Sequence, residues 1–485
     1  MGCLVQGLFQ AMSFTQALKW SFLSELAAKS IQPVVFIVLA RLLTPEDFGV
    51  ITAAMMVIAF SQIFWEAGMG KALIHRQTHI KEAANAAFMI NISLGILIAG
   101  LLYVFAQPIA STFFRDDRIT AVLQVMTLQV LLGALGSVQT ALLQKEMGFK
   151  KLFWIRFATV GLPGLASIPL AINGWGYWSL VAGTLAGQIA QVLMLWRMSH
   201  WVPGFRRDTE VTKEIVKFGA WVGATGLLTW FYAWADSMVI GHYLGSHDLG
   251  LFNMGGKLPS VVYAMIFGPI LPVLYSQLSR IGPEQDKMKK IAELAIASLT
   301  LIALPIAIAM AIFSQHIELV IFGDKWVGLG IVLASMAIMH GYSWIVGMNG
   351  EFYRAMGKPN YETFVTAATL LFYLGVYLWV INKGLETFVM ARAALALGAL
   401  FLHLIILKRI LDIYLLSIIK KITMLTFISL LIIYSAKESV IFLSNQPSLQ
   451  LTFGLLLSGA LMAITLFLME KNKIIKQLIQ LIREK

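Results

Sequence analysis

Long stretches of the chain contain no charged residue, and polar segments separate them at regular intervals. Residues 48–65, 83–114 and 119–144 lack Asp, Glu, Lys and Arg, and the stretch 157–196 is long enough for two helices around a turn at 169–176. A helix needs about 20 apolar residues to cross the hydrocarbon core of a bilayer. The pattern therefore predicts fourteen transmembrane helices, over residues 20–42, 48–70, 83–106, 119–143, 152–172, 177–196, 215–243, 251–276, 290–313, 327–352, 360–381, 386–407, 420–436 and 449–469.

The overall composition supports this interpretation. Of the 485 residues, 59% are hydrophobic and 13% are charged, whereas a soluble domain carries about 25% charged residues. The mean hydropathy of the chain is +0.79. These values exclude a soluble enzyme and a disordered chain, and they predict an all-α integral membrane protein.

The basic residues are distributed unevenly between the two sides of the membrane. The chain has 37 Lys and Arg against 25 Asp and Glu, a net charge of +12. If the N-terminus is cytoplasmic, most of the basic residues between the predicted helices fall on the cytoplasmic side, as the positive-inside rule requires. The charge pattern therefore predicts that both termini are cytoplasmic. It also explains the basic excess by membrane topology, so we expect no nucleic-acid partner.

A weak internal repeat divides the chain. Leu43, Asp47 and Gly49 recur as Leu244, Asp248 and Gly250, and two further pairs of segments match in the same order: Phe113–Asp116 with Ile321–Asp324, and Met147–Gly148 with Met356–Gly357. The repeat spans six helices, an even number, so both copies have the same orientation, as in transporters with parallel repeats. The predicted organisation is a lead-in at 1–19, a six-helix lobe at 20–200, a cytoplasmic linker at 201–214, a second six-helix lobe at 215–410, two further helices at 411–470 and a basic cytoplasmic tail at 471–485.

Known catalytic and cofactor-binding motifs are absent from the sequence. It contains no Walker motif, no His-Glu-x-x-His pair, no cysteine cluster and no Gly-x-Ser-x-Gly. We therefore predict a protein that is not an enzyme and has no cofactor or metal. Transport would draw its energy from an ion gradient or from the gradient of the substrate.

Charged residues within predicted helices are the best candidates for function, because each costs about 2.5–3.5 kcal/mol at the centre of the membrane on insertion scales. Glu25 and Lys29 share one face of the first helix, and they are either a packing pair or functional groups. Lys257 and Arg392 either extend to the outer interface or form a cationic cavity for a phosphate or an acidic sugar. Asp236 and Glu25 are candidate proton or sodium sites.

Aromatic residues cluster on the seventh predicted helix. Trp230 and Trp234 lie one turn apart, and they either pack between helices or stack on sugar rings.

Two segments resemble a known family. Val38–Gly49, with the sequence VLARLLTPEDFG, and Glu66–Ile74, with EAGMGKALI, are similar to the opening of the Wzx-type oligosaccharide flippases. These belong to the multidrug/oligosaccharidyl-lipid/polysaccharide superfamily, and the branch that exports colanic and teichuronic acids is the most similar.

The resemblance implies a two-lobed, MATE-like carrier in the bacterial inner membrane. Such a carrier moves undecaprenyl-diphosphate-linked oligosaccharide to the outer leaflet by alternating access, with H⁺ or Na⁺ as the candidate coupling ion. It implies a cationic site for pyrophosphate and acidic sugars, for which the candidates are Lys29, Lys257 and Arg392, with Arg41 further out. Membrane lipids and the polysaccharide polymerase and export machinery are the expected partners.

Two other functions remain open on the sequence. A multidrug or cation antiporter of the same superfamily would show acidic cavity residues without cationic ones, whereas this chain has both. A polysaccharide polymerase or ligase would need a large outer loop with titratable residues, and the predicted outer loops are short.

Overall fold

The computed structural model describes residues 31–66, 68–204, 209–268, 278, 284–358 and 360–470. The first part of the first predicted helix, with Glu25 and Lys29, and the basic tail 471–485 lie outside the described residues.

Helices account for every regular element of the described chain. Fourteen of the described helices, α1 to α14, overlap the fourteen predicted spans. In order, they are Ile31–Leu42, Pro45–Glu66, Ile80–Pro108, Arg118–Lys145, Phe149–Ile172, Tyr177–Met198, Thr209–Tyr243, Gly245–Phe267, Gln285–Ile312, Leu329–Ile345, Asn360–Val380, Leu385–Leu411, Leu415–Leu443 and Pro447–Glu470. Short helices at Met69–His75, Ser314–Ile317 and Asn349–Ala355 accompany them.

Within these described ranges, eleven helices are long and apolar enough to cross a membrane by length and composition. They are all of the fourteen except α1, α7 and α8. Large apolar side chains such as Val104, Leu371 and Phe442 are more than two-thirds exposed, as expected for surfaces that face lipid. The all-α membrane fold is therefore confirmed, and a total of fourteen spans remains a prediction.

The turn between α1 and α2 is closed by a reciprocal cap. The Thr44 backbone N–H donates to Asp47 Oδ2 at 3.0 Å, and the Asp47 N–H donates to Thr44 Oγ1 at 3.4 Å. Pro45 occupies the first helical position, where its missing N–H costs no hydrogen bond. The local sequence thus determines where α2 begins.

Two compact units divide the chain, Met1–Gly250 and Leu251–Lys485. The predicted linker 201–214 lies earlier than this division. The reason is that α7 packs against α2 and α3 of the first unit, although the repeat groups α7 with the second six helices. The predicted domain boundaries remain a proposal.

In the first unit, α4 is the central helix and contacts α2, α3 and α6. Asn91 on α3 is fully buried and donates from Nδ2 to Ser137 Oγ on α4 at 2.8 Å. The helices α5 and α6 pack closely at Gly183 and Gly187, where an added Cβ would lie 1.8 Å from Ser167 Oγ and 2.7 Å from Pro163 Cγ respectively. This is the small-xxx-small arrangement by which membrane helices approach each other.

In the second unit, α9 and α10 pack against each other, α10 also contacts α12, and α9 contacts α13. The Tyr263 hydroxyl on α8 donates to the Ala303 carbonyl on α9 at 3.0 Å. Trp326, which precedes α10, is fully buried. The last two helices, α13 and α14, pack on one another.

The structure reproduces the internal repeat in detail. Each unit contains a π-helical turn, Ile109–Phe114 in the first and Glu318–Phe322 in the second. Each turn ends in a phenylalanine that is 2% exposed, Phe114 and Phe322. The next residue in each unit has a positive φ, 56° at Arg115 and 87° at Gly323. These are the segments that the sequence comparison paired.

The repeated glycines form a reciprocal contact. A Cβ on Gly49 would lie 1.7 Å from the Ser246 carbonyl oxygen, and a Cβ on Gly250 would lie 1.8 Å from the Pro45 carbonyl oxygen. In the repeat alignment Gly49 corresponds to Gly250, and Pro45 corresponds to Ser246. The first turns of α2 and α8 therefore pack closely against each other at these two glycines.

Candidate functional site

A cavity of about 480 Å³ lies among the helices of the first unit. This volume falls within the range of about 300–1,000 Å³ that is typical of ligand pockets. Its lining is rich in uncharged hydrogen-bonding groups, and only two of the lining residues, Glu66 and Lys71, are charged. The uncharged polar residues that line it are Gln62, Gln129, Ser137, Thr140, Gln144, Gln188 and Gln191.

Three helices position these side chains by helical spacing. On α4, the positions 129, 133, 137, 140 and 144 recur at intervals of three and four, so they form one stripe along the helix. Gln188 and Gln191 share a face of α6, and Gln62 and Glu66 share a face of α2. The cavity is therefore a consequence of three polar stripes within otherwise apolar helices.

Trp65 forms a fixed wall of the cavity. Its side chain is 5% exposed, and its ring packs against Gly133 so closely that a Cβ there would lie 2.7 Å from Trp65 Cη2. Gln188 lies beside it and donates from Nε2 to the Gln129 carbonyl at 3.1 Å. On α2, the helix that carries Trp65, Gln62 Nε2 donates to Glu66 Oε2 at 2.7 Å.

A second cavity, of about 420 Å³, continues from the first. Thr140, Gln144, Gln191 and Leu195 line both cavities. The continuation contains Arg156, on α5, together with aromatic residues. The amide-lined space therefore leads to a guanidinium group.

In the second unit, aromatic and histidine side chains surround Arg392 on α12. Arg392 Nη1 donates to the Tyr377 hydroxyl on α11 at 2.9 Å, and the guanidinium lies 5.5 Å from the centre of the Phe252 ring on α8. His340 on α10 lies within electrostatic range of the guanidinium. Arg392 is half-buried, and neighbouring helices hold its guanidinium in place.

The other predicted cations occupy more open positions. Lys257 is exposed on α8, five residues after Phe252, and Arg41 is exposed near the end of α1. Lys29 lies outside the described residues. Of the cationic candidates, Lys257 and Arg392 belong to the second unit and Arg41 to the first.

Three of the four predicted ion and sugar residues, Asp236, Trp230 and Trp234, lie on α7. Asp236 is buried, and its Oδ1 accepts a hydrogen bond from the Ser237 backbone N–H at 2.7 Å. The Trp230 ring packs on Phe60 with a centroid distance of 4.8 Å, while Trp234 is half-buried. Glu25 is not among the described residues.

Outside the membrane spans, Asp116 in the turn before α4 is a carboxyl group whose pKa is shifted by its surroundings. Burial works to raise the pKa of this carboxyl, but hydrogen bonds from Arg118 and Ser246 and the charge of Arg118 outweigh it and hold the pKa below the usual value. The Ser246 hydroxyl donates to Asp116 Oδ2 at 2.5 Å. The carboxylate therefore ties this turn to the first turn of α8.

The amide-lined cavity was not predicted from the sequence. A search for charged residues and known motifs passes over glutamine, because an uncharged amide does not interrupt a hydrophobic stretch. The signal that was available is the stripe of polar and small residues from Gln129 to Gln144 at helical spacing.

A helical membrane protein with a parallel internal repeat and a hydrogen-bonding cavity among its helices has the architecture of a transporter. The chain belongs to the family described as "Polysaccharide biosynthesis protein", which it matches over residues 38–330. This confirms the family predicted from the opening motif.

Two relatives in this group are named as polysaccharide biosynthesis proteins. The chain is 24% identical to the succinoglycan biosynthesis transport protein ExoT of Rhizobium meliloti (strain 1021), over 68% of this chain and 67% of ExoT. It is 23% identical to the teichuronic acid biosynthesis protein TuaB of Bacillus subtilis (strain 168), over 73% of this chain and 74% of TuaB.

Two solved structures share the fold. The lipid II flippase MurJ in an inward closed conformation superposes with a TM-score of 0.73, at 12% identity, over 93% of this chain and 99% of that chain. An inward-facing MATE family multidrug transporter superposes with a TM-score of 0.60, at 14% identity, over 82% and 95%. The MATE-like fold predicted from the resemblance is thereby confirmed.

Proposed function

We propose that the protein is a flippase for undecaprenyl-diphosphate-linked oligosaccharide repeat units. It moves them from the cytoplasmic to the outer leaflet of the bacterial inner membrane, by alternating access, for the synthesis of a surface polysaccharide. The observation that carries this proposal is the family match over residues 38–330 on a chain with eleven membrane-competent helices. The name of ExoT, a succinoglycan biosynthesis transport protein, points the same way, to a transporter and not an enzyme.

The cationic residues supply the charge that a diphosphate needs. Arg392 presents a guanidinium held by Tyr377 and Phe252, and a guanidinium binds phosphate oxygens through two parallel hydrogen bonds. Lys257, Lys29 and Arg41 are the further cations proposed for the diphosphate or for acidic sugars.

The remaining predicted residues have supporting roles in this proposal. Asp236 and Glu25 are the candidate sites at which H⁺ or Na⁺ couples to transport. Trp230 and Trp234 are candidates for stacking on sugar rings. In this proposal both termini are cytoplasmic, as the charge pattern predicts, and the expected partners are membrane lipids and the machinery that polymerises and exports the glycan.

A multidrug or cation antiporter is the second candidate, because a MATE multidrug transporter has the same fold. A drug cation would be bound by carboxylates in an apolar pocket. The cavity of the first unit is lined by five glutamines and contains one carboxylate, that of Glu66, and one lysine. This lining favours a neutral, hydroxyl-rich substrate over a cation.

The proposal is tested in a deletion strain. We expect lipid-linked oligosaccharide to accumulate facing the cytoplasm, where a membrane-impermeant glycosidase does not reach it, and surface polymer to disappear; both recover when the wild-type gene is restored. Unchanged polymer together with a loss of resistance to cationic compounds would instead identify an antiporter.

A further inference from the structure

The amide-lined cavity of the first unit is an unusual feature for a membrane domain. Polar side chains among membrane helices generally hold the helices together or line a space that admits water or a solute. Gln188 does hold helices together, since it donates to the Gln129 carbonyl.

Three of the glutamines have no such role. The side-chain amides of Gln129, Gln144 and Gln191 have no hydrogen-bond partner among the residues that the structure describes. All three line the cavity, and none is buried. Their donors and acceptors are therefore accessible to whatever fills the cavity.

The chemistry of these groups selects a class of ligand. A carboxamide offers two N–H donors and a carbonyl acceptor on one planar group, and a sugar hydroxyl is also both donor and acceptor. Amides therefore match neighbouring hydroxyls, whereas a diphosphate would be bound by cations. Among the lining residues of this cavity, Lys71 is the one cation.

The shape of the cavity is maintained by small and rigid residues. Gly133 and Gly136 let neighbouring side chains pack directly on α4: a Cβ at Gly133 would lie 2.7 Å from Trp65, and a Cβ at Gly136 would lie 3.0 Å from Leu195. The buried ring of Trp65 cannot move aside easily. These contacts fix the positions of α2, α4 and α6 around the cavity that the amides line.

We propose that this cavity binds an uncharged sugar of the transported oligosaccharide, and that Gln129, Gln144 and Gln191 bind its hydroxyl groups. The inference rests on the proposed flippase function, whose substrate class it specifies. The continuing cavity places Arg156 beyond Gln144 and Gln191, where an anionic group of the same substrate would lie.

The test separates binding of the sugar from binding of the lipid. Purified full-length protein in lipid nanodiscs is titrated with two probes, undecaprenyl diphosphate without a sugar and undecaprenyl diphosphate carrying an uncharged disaccharide. We expect the wild type to bind the sugar-bearing probe more tightly. In the double variant Gln129→Met and Gln191→Met, we expect that probe to bind about tenfold more weakly, because each lost hydrogen bond contributes a factor of about 2 to 12.

Gln124→Met is the matched control. Gln124 also lies on α4 and is half-buried, but it is not among the residues that line the cavity. We expect this variant to bind both probes like the wild type, and we expect the double variant to bind undecaprenyl diphosphate without loss. If the double variant does not remain folded, Gln144→Met at the more exposed end is measured instead, with an expected loss of two- to fivefold.

The outcomes are distinct. If the glutamine variants bind the sugar-bearing probe as tightly as the wild type, the sugar site is refuted while the flippase function stands. If the wild type binds neither probe, the proposed function itself fails.

Discussion

The crossing of α2 and α8 gives a sharp test of the structure. Gly49→Ala adds a methyl group whose ideal position is 1.7 Å from the Ser246 carbonyl oxygen. An ordinary contact between these atoms is about 3.4 Å or longer, so the two helix backbones must separate by well over 1 Å. Overpacking in a well-packed region costs about 1–3 kcal/mol. We expect the upper half of this range, because the obstructing atom belongs to the backbone and cannot rotate away.

Gly250→Ala places its methyl group 1.8 Å from the Pro45 carbonyl oxygen, in the same crossing. Because one separation of the helices relieves both clashes, the two substitutions share their cost. We expect the destabilisation of the double variant to be smaller than the sum of the two single destabilisations, and the difference to be about 1 kcal/mol or more.

The assay is equilibrium unfolding of the purified full-length protein in mixed detergent micelles with increasing sodium dodecyl sulfate. Gly100→Ala is the control, because Gly100 lies in α3 and an added Cβ there meets nothing within 4 Å. In a helix interior alanine is favoured over glycine by about 1 kcal/mol, so this control should be neutral or more stable. If Gly49→Ala behaves like Gly100→Ala, or if the two crossing variants are additive, the reciprocal contact is refuted.

Three further predictions concern other parts of the fold. Asp116→Asn should destabilise the protein by about 1–3 kcal/mol at neutral pH, because it weakens the hydrogen bonds to Ser246 and Arg118. Since folding lowers the pKa of Asp116 from 3.8, the stabilisation by this carboxylate is complete above about pH 4 and is lost as the pH falls through the lowered pKa. Unfolding curves of the asparagine variant should lack this pH dependence. In a complementation assay, Arg392→Gln should reduce the amount of surface polymer at least tenfold, and Tyr377→Phe should reduce it less. If both variants make as much surface polymer as the wild type, Arg392 is not part of the substrate site. Gly183→Ala should destabilise the α5–α6 pair by about 1–3 kcal/mol, because the new methyl group would lie 1.8 Å from Ser167 Oγ; an unchanged unfolding midpoint would contradict the close packing.

The pattern of apolar and charged residues predicted a helix at each of the fourteen positions of α1 to α14, because a helix satisfies all of its backbone hydrogen bonds within one segment, as a membrane span requires. Helix ends were less predictable. The predicted end of α3 at residue 106 is followed in the structure by further helix and a π turn that reaches Phe114. The predicted thirteenth helix, 420–436, is Leu415–Leu443 in the structure. Charged residues such as Lys420 and Lys437 limit the part of a helix that lies in hydrocarbon, but they do not end the helix.

The candidate site was harder to predict than the fold. Charge identified Arg392 and Lys257, and the structure shows which side chains hold Arg392, namely Tyr377 and Phe252. The cavity of the first unit depends on residues from three helices that are far apart in sequence. Its glutamines can be recognised in the sequence only when the stripes on α2, α4 and α6 are considered together, which requires knowing that these helices are neighbours.

Transport by the purified protein tests the central claim most directly. Full-length protein is reconstituted into liposomes with undecaprenyl diphosphate carrying a labelled disaccharide, and a membrane-impermeant glycosidase is added outside. We predict that nearly all of the label becomes accessible within minutes, whereas in protein-free liposomes about half remains protected. If the same protected half persists in liposomes that contain correctly folded protein, the protein does not move this substrate and the flippase assignment is wrong.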